Sequence, residues 1–280
     1  MLKTVSKSSS SSLWVYMNCA KTRNALSPEL IGALHGVFTS KDVVAKKRSI
    51  VLASDQSVKG TFCSGGNLKW MSQASAQEIG KLWDMLHSIR TCPLPVIARV
   101  TGTAAGGGAG LVAACDMAFS AQPPIPPSKP GAKKKGKPMW LGFSEVRVGL
   151  VPSMVSTFVV PKIGTANATR MFLTGERFDP KEAERMGLIN KHFETVEEMD
   201  KEINRVCEAI RKSSKAAVTR SKRLIAEVSE MTYRCESKKN MRRATTRIIT
   251  EARSSPDGRE GIKAFFEKRP PRWCVEEMKH

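Results

Sequence analysis

The stretch GTAAGGGAGL, residues Gly102–Leu111, places three consecutive glycines between a strand-like run and a helix-like run. Each glycine costs backbone entropy on folding and contributes no side chain to a core. A tight turn usually needs one glycine. Three in a row, Gly106–Gly108, therefore indicate that another group comes very close to the main chain at this point.

A second glycine-bearing turn, Ser64–Asn67, follows the apolar run Ile50–Ala53, as the triplet follows Val96–Val100. If both turns open helices at one edge of a sheet, each presents main-chain N–H groups that have no hydrogen-bond acceptor within its own helix. Two such groups converging on one point form an oxyanion hole. Neither turn matches the phosphate-binding patterns GxxxxGK[ST] or GxGxxG. Taken alone, the triplet is also explained by close packing of a helix on a strand.

Length and composition limit the class of protein. The chain has 280 residues, of which 41% are hydrophobic, enough for one or two globular domains. No apolar run reaches the ~18 residues of a membrane span. The seven cysteines form no CxxC pair, which is typical of reduced thiols inside a cell. The four histidines do not cluster with them, so zinc is not expected.

The net charge of +20 is the most unusual bulk property. It is consistent with polyanionic partners such as nucleic acid, a nucleotide or coenzyme A, but a solvated basic surface is the preferred explanation. The N-terminus is basic and serine-rich and has no acidic residue before Glu29, as in mitochondrial transit peptides. Because Leu13–Met17 already has the pattern of a strand, such a presequence would be short. If there is no presequence, the expected location is the cytoplasm.

Strand-like and helix-like segments alternate along the chain, which predicts an α/β fold with parallel strands. Predicted strands are Leu13–Met17, Ile50–Ala53, Val96–Val100 and Asp116–Ser120, and predicted helices begin at Ser27-Pro28 and span Glu78–Ile89 and Gly110–Ala114. The Pro/Lys-rich stretch 123–138 predicts an exposed, disordered insertion. Residues 1–195 are interpreted as the α/β core and 196–280 as a helical region that mediates oligomerisation.

Five stretches, in order, resemble signatures of the enoyl-CoA hydratase/isomerase, or crotonase, superfamily. They are FCSGGNLKWM (Phe62–Met71), ARVTGTAAGGGAGLVAACDMA (Ala98–Ala118), FSEVRVGLVPSMVSTFVVPKIG (Phe143–Gly164), MFLTGERFDPKEAERMGLIN (Met171–Asn190) and SPDGREGIKAFFEKRPPRW (Ser255–Trp273). The resemblance implies a spiral of ββα repeats, a helical C-terminal region and a homotrimer or a dimer of trimers. GGGAGLVAACD and SEVRVGLVP resemble the bacterial-type methylglutaconyl-CoA hydratases of leucine breakdown.

The resemblance also implies roles for individual residues. The N–H groups of Gly66 and Gly107 would hold the thioester oxygen as it gains enolate character. The remaining substrate and coenzyme A contacts would come from Lys21, Thr22, Arg23, Ser64, Asn67, Leu68 and Gly110. No metal or redox cofactor is expected, because the acyl-CoA substrate carries its own electron sink.

Hydratases of this family commonly use two glutamates, and this chain matches only one of the two positions. The first position is Gly110 and the second is Glu145. Glu145 alone could add water to a 2-enoyl thioester, move a double bond as an isomerase does, or activate water against the thioester as a hydrolase does. Partial burial would raise its pKa towards working pH. Without the resemblance, Glu145 reads as an ordinary surface acid.

Three further interpretations complete the prediction. Cys63 is a small packed thiol rather than a nucleophile, because no histidine has a motif-like relation to it. Asp116 is structural, and Asn67 caps a helix. The competing functions are RNA binding, which the charge would support, and a scaffold without catalysis, which the missing first glutamate would suggest.

Overall fold

The computed structural model of the protein describes residues 1–5, 11–122, 138–233 and 255–272. The Pro/Lys-rich stretch predicted to be disordered lies outside the described residues, apart from Pro138. Within the described residues, no helix combines the length and the apolar character that crossing a membrane requires.

Two sheets form the core of the molecule. Their strands, in chain order, are β1 (Leu2–Val5), β2 (Ser12–Met17), β3 (Ser49–Ser54), β4 (Thr61–Cys63), β5 (Val96–Val100), β6 (Thr103–Ala105), β7 (Met117–Ala121), β8 (Leu141–Gly142), β9 (Arg177–Phe178) and β10 (Lys191–Phe193). The larger sheet has the order β1-β2-β3-β5-β7-β10 and is parallel except for the β1–β2 pair. The predicted α/β class with parallel strands is confirmed.

The smaller sheet, β4-β6-β8-β9, corrects one expectation from the sequence. The two glycine turns do not follow β3 and β5 directly, because the short strands β4 and β6 come between. A three-residue strand is too short to show a periodic apolar pattern. β4 pairs with β6 in parallel, with Thr61 opposite Thr103 and Cys63 opposite Ala104. This pairing places the two turns side by side at one edge.

The helices are α1 (Pro28–Thr39), α2 (Lys41–Lys46), α3 (Leu68–Met71), α4 (Ala76–Thr91), α5 (Gly107–Ala114), α6 (Ser153–Thr174, interrupted at Gly164), α7 (Pro180–Arg185), α8 (Val196–Arg211), α9 (Lys215–Tyr233) and α10 (Pro256–Phe266). Ser27 caps α1 as predicted, and its side chain accepts a hydrogen bond from Leu30 N. α5 begins at Gly107 rather than at Gly110. All its residues are buried, so tertiary packing overrides the poor helix propensity of glycine.

Apolar side chains fill both faces of the larger sheet. On one face, α1, α4, α5 and α6 cover side chains such as Leu52 and Ala98. On the other face, α8 presents a stripe of Met199, Ile203 and Cys207 to Val51, Ile97 and Phe119. The first C-terminal helix therefore completes the core instead of standing apart from it.

Asp116 has the structural role expected from the sequence. Its carboxylate accepts a hydrogen bond from Val96 N at 2.7 Å, at the start of β5. It also pairs with Lys222 Nζ at 2.7 Å, which fixes α9 to the sheet. Burial raises the pKa of Asp116, and the Lys222 charge opposes that rise.

Candidate active site

The first glycine turn follows β4 and is held by Leu26. Leu26 N donates to Gly65 O at 2.8 Å, and Asn67 N donates to Leu26 O at 3.2 Å. Because successive groups of an extended chain face opposite sides, the N–H of Gly66 faces away from Leu26. Gly65 has a φ of +102°, and a Cβ there would lie 2.8 Å from Ala105 O. Only glycine fits this part of the turn.

The second turn opens α5. Gly106 has a φ of +49° and donates its N–H to Gly142 O at 2.7 Å. Gly107 is the first residue of the helix, where an N–H has no intrahelical acceptor. A Cβ on Gly108 would lie 2.9 Å from Cys63 Cβ, so this glycine lets the helix approach β4. The triplet thus lets α5 pack closely on β4 and leaves the N–H of Gly107 without an intrahelical acceptor.

The two turns bring their amides together. A Cβ on Gly107 would lie 3.5 Å from Gly66 N, and one on Gly65 would lie 3.7 Å from Gly107 N. In the part of the chain that the structure describes, neither Gly66 N nor Gly107 N donates to a protein acceptor. Two free donors side by side, one at a helix N-terminus, form an arrangement suited to a developing oxyanion.

Glu145 lies against Gly106, the residue just before Gly107. It opens a 3-10 helix, Glu145–Val148, that follows β8. A Cβ on Gly106, the residue just before Gly107, would lie 3.1 Å from Glu145 Oε1 and 3.4 Å from its Cδ. Leu150 N donates to Glu145 O at 3.0 Å and closes the turn behind the residue. The carboxyl group therefore lies against the second glycine turn, at the residue that precedes the Gly107 amide.

The electrostatics of Glu145 suit proton transfer. Burial raises its pKa above the ordinary value of 4.5, and a hydrogen bond from its own backbone N–H partly opposes the rise. Oε2 is buried and has no hydrogen-bond partner among the described residues. A carboxyl group with a raised pKa and a free lone pair is suited both to take and to return a proton. The alternative of an ordinary surface acid does not describe this environment.

The basic segment Lys21–Arg23 lies beside the first turn. Ser64 N donates to Arg23 O at 3.1 Å, and Ser64 Oγ donates to Thr22 O at 3.0 Å. Lys21, Thr22 and Arg23 are all exposed, as is Ser64. Two cationic side chains thus stand at the open edge of the candidate site, and their contact with coenzyme A stays a prediction.

The other predicted contact residues have different surroundings. Asn67 caps α3 as expected, because its Oδ1 accepts a hydrogen bond from Trp70 N at 3.1 Å. Leu68 follows it with 55% of its surface exposed. Gly110 is buried and faces Val155, since an added Cβ would overlap Val155 Cγ1 and lie 2.6 Å from Val155 Cβ. Substrate contact by these three residues stays a prediction.

Asn24 organises the site but was not identified from the sequence. Its Oδ1 accepts from Cys19 N at 2.8 Å, and its Nδ2 donates to Phe62 O at 2.9 Å. These bonds fix the Lys21–Arg23 segment to β4. Asn24 has a φ of +55°, which asparagine tolerates better than most residues. Its partners are distant in sequence, so no local pattern identifies them.

Cys63 is a packed thiol, as expected. It is completely buried, its Sγ donates to Asn24 O at 3.0 Å, and burial raises its pKa to about 12. A thiol in this state provides no thiolate nucleophile at neutral pH.

Comparison with known proteins places almost the whole chain in one family. The sequence profile of the family described as enoyl-CoA hydratase/isomerase matches residues 8–276. The human mitochondrial methylglutaconyl-CoA hydratase is 29% identical over 92% of this chain and 72% of its own length. The human mitochondrial enoyl-CoA hydratase domain-containing protein 2 is also 29% identical, over 92% of this chain and 84% of its own.

Solved structures share the fold over almost the whole chain. An enoyl-CoA hydratase/isomerase from Marinobacter aquaeolei superimposes with a TM-score of 0.81 at 25% identity, covering 97% of this chain and 98% of that one. An enoyl-CoA hydratase from Mycobacterium smegmatis gives 0.81 at 26% identity, covering 98% and 99%. The resemblance to the crotonase fold inferred from five stretches of sequence is confirmed, and the chain belongs to the enoyl-CoA hydratase/isomerase superfamily.

Proposed function

We propose that this protein is an acyl-CoA lyase that adds water to a 2-enoyl thioester. The observation that carries the proposal is the position of the Glu145 carboxyl against Gly106, beside the free amides of Gly66 and Gly107. The family acts on acyl-CoA thioesters, and the relatives above include hydratases by name. Methylglutaconyl-CoA is one candidate substrate within this class.

The proposed mechanism uses one carboxyl group and two amides. The thioester oxygen accepts hydrogen bonds from the N–H groups of Gly66 and Gly107. Glu145, ionised, takes a proton from water as the water oxygen bonds to C3, and the electron pair moves to the thioester oxygen. The enolate then collapses, and protonated Glu145 delivers the proton to C2. Removing one such oxyanion donor in other enzymes costs about 10²–10³ in rate.

Isomerisation is the second candidate, and the single carboxyl group favours it. Gly110 supplies no second acid, and Oε2 of Glu145 has no partner among the described residues. In an isomerase, Glu145 would take a proton from C2 of a 3-enoyl thioester. The dienolate would be held by the same amides, and the proton would return at C4. No water would be consumed.

A substrate panel distinguishes these reactions. The full chain is incubated with crotonyl-CoA, 3-hexenoyl-CoA and 3-methylglutaconyl-CoA in heavy-oxygen water, and products are analysed by mass spectrometry. Hydration adds one heavy oxygen to C3; isomerisation leaves the mass unchanged and shifts the double bond; hydrolysis releases free coenzyme A. Hydration of a 2-enoyl thioester is expected. Absence of turnover on every thioester would overturn the proposal.

Recognition of coenzyme A is assigned in this proposal to Lys21 and Arg23 at the open edge. Lys21→Ala and Arg23→Ala should raise KM for a CoA thioester but not for the N-acetylcysteamine thioester, which lacks the nucleotide. Lys181→Ala is the matched control, because Lys181 is 75% exposed on α7 and pairs only loosely with Glu194. Equal KM changes in all three variants would contradict the assignment.

Assembly, location and RNA binding belong to the same proposal. We expect a homotrimer or a dimer of trimers, and a mitochondrial location is supported by the names of the two human relatives. RNA binding through the +20 charge would be non-specific. RNA retention should therefore vanish at moderate salt while thioester turnover persists; retention that survives salt would favour the RNA-binding hypothesis.

A further inference from the structure

The carboxyl end of α5 is closed by a side chain from another helix. α5 begins at Gly107, and its C-cap residue, Cys115, is extended, with a φ of −68° and a ψ of 148°. A helix that ends in this way lacks the left-handed residue whose N–H commonly bonds back to the last turn. Its final carbonyl groups therefore need a donor from elsewhere in the molecule.

Lys162 on α6 supplies that donor. Its Nζ donates to Cys115 O at 2.6 Å and to Ala113 O at 3.4 Å. A cation at the C-terminus of a helix also complements the negative end of the helix dipole. Lys162 thus holds the end of α5 that lies opposite Gly107.

This position is unfavourable for an ammonium group. Burial lowers the pKa of Lys162, and the charge of Asp116 opposes that shift. The Asp116 carboxylate is itself bonded to Lys222 Nζ at 2.7 Å, so two ammonium groups share one carboxylate at this end of α5. A buried charge that is only partly compensated lowers stability, and a neutral donor would satisfy the same carbonyl groups without that cost. Stabilisation of the helix alone therefore gives little reason for a lysine here.

The amino end of α5 has few side chains that could fix its position. Three of its first four residues are glycine, at positions 107, 108 and 110. Carbonyl and N–H groups of a helix both point along its axis, so the bond to Ala113 O restrains the coordinate along which the N–H of Gly107 moves. The helix is only about 12 Å long at 1.5 Å per residue, and a slide or tilt at one end therefore displaces the other.

We propose that Lys162 is a positioning residue for the reaction: acting through α5, it sets where the N–H of Gly107 stands relative to the thioester oxygen. The inference rests on the proposed function, in which Gly107 is one of the two oxyanion donors. The contacts of Lys162 lie at the far end of the helix, so it acts on the geometry of the site and not on the substrate.

The first test is kinetic and uses the full chain with crotonyl-CoA. Lys162→Met removes the donor and keeps the apolar stem of the side chain. Its kcat should fall about 10- to 100-fold, because a displacement of about 1 Å in a reacting group can cost about 10² in rate. KM should change little, because the Lys21–Arg23 segment assigned to coenzyme A is bonded to the other turn. Lys162→Arg keeps the cation and its N–H donors and should retain most of the kcat.

Lys222→Met is the matched control. The Lys222 side chain is 10% exposed, and its Nζ pairs with Asp116 and donates to Ile89 O at 2.9 Å and to Leu94 O at 3.0 Å, all outside α5. Losing this ammonium should lower stability, because it leaves Asp116 without its ion-pair partner. The kcat of the folded variant should equal that of the parent. Equal kcat losses in Lys162→Met and Lys222→Met would overturn the proposal.

The second test measures the hydrogen bonds to the thioester oxygen without turnover. Crotonyl-CoA labelled with carbon-13 at its thioester carbonyl is bound to Glu145→Gln, and infrared spectroscopy gives the carbonyl stretching frequency. Donation by the two amides lowers this frequency relative to free crotonyl-CoA. Adding Lys162→Met should reverse part of the shift, whereas adding Lys222→Met should not. An unchanged frequency in Glu145→Gln/Lys162→Met would refute the positioning role even if kcat falls.

The remaining outcomes separate this inference from the proposed function. An active parent whose kcat and carbonyl frequency do not respond to Lys162→Met would refute the role of Lys162 alone. A parent that converts none of the thioesters would refute the proposed function and, with it, this role. If Lys162→Met does not fold, Lys162→Gln takes its place: its amide keeps a donor on a shorter side chain, and both readouts should move in the same direction.

Discussion

The Glu145 carboxyl group lies against Gly106. Because Gly106 has no side chain, the carboxyl group can occupy the space that a side chain would fill. A Cβ on Gly106 would lie 3.1 Å from Oε1 of Glu145. Gly106 also adopts a φ of +49°, a conformation that other residues rarely adopt. Gly106 therefore makes room for the carboxyl group. It also turns the chain so that the next residue, Gly107, presents its amide.

Glu145→Gln should abolish most turnover without loss of substrate binding. Glutamine keeps the shape of the side chain but neither takes nor returns a proton. We expect kcat to fall by about 10²–10⁴, the range typical of general acid–base groups. Steady-state kinetics measures the loss, and calorimetric titration with a non-reactive CoA thioester should give an unchanged Kd. Turnover close to that of the unaltered protein would remove Glu145 from the mechanism.

The same substitution should stabilise the protein at neutral pH. The pKa of Glu145 is raised in the folded state by burial, so the folded protein favours the protonated form. This contribution to stability is complete below the unfolded value of 4.5 and is lost as pH rises through the folded pKa. Urea unfolding should show Glu145→Gln more stable than the parent at pH 7 and equal to it below 4.5. A difference that does not change with pH would contradict the assigned cause.

Gly106→Ala should lower turnover by more than its loss of folding stability accounts for. The added methyl group meets the Glu145 carboxyl and displaces it, and a shift of about 1 Å in a reacting group can cost about 10² in rate. Gly164→Ala is the control, because Gly164 has a φ of +75° but no atom within 4 Å of an added Cβ. Both variants carry backbone strain, and only Gly106→Ala should lose activity beyond its loss of stability. Equal kcat values in the two variants would contradict the role of Gly106 in positioning the Glu145 carboxyl group.

Gly110 and Val155 should be energetically coupled. Gly110→Ala forces a methyl group into Val155, and overpacking of this kind costs about 1–3 kcal/mol. Val155→Ala should relieve part of that clash, because it removes Cγ1 but keeps the Cβ that would lie 2.6 Å from the added methyl group. The double variant should therefore be more stable than the two single losses predict. Val159→Ala on the same helix is the control; Val159 is fully buried and should combine additively with Gly110→Ala. Chemical denaturation of the six proteins measures the coupling, and additive losses for the Val155 pair would refute it.

Much of the architecture followed from local patterns. Apolar runs such as Ile50–Ala53 predicted the parallel strands, and Ser27-Pro28 predicted the start of α1 correctly. The strands β4 and β6 were not predicted, because three residues carry too little pattern and their pairing is long-range. The start of α5 was placed at Gly110 instead of Gly107, because the burial that stabilises glycine in a helix is not visible locally.

What the sequence determined by itself is the set of chemical parts: two glycine turns, one acid at position 145, a basic segment at Lys21–Arg23 and the missing acid at Gly110. Only the tertiary structure decided that these parts meet. The β4–β6 pairing sets the two turns side by side, and β8 brings Glu145 to Gly106 from almost forty residues away along the chain. Local residue types define which groups can donate or take a proton, whereas distances between groups far apart in the chain are set by sheet pairing and core packing.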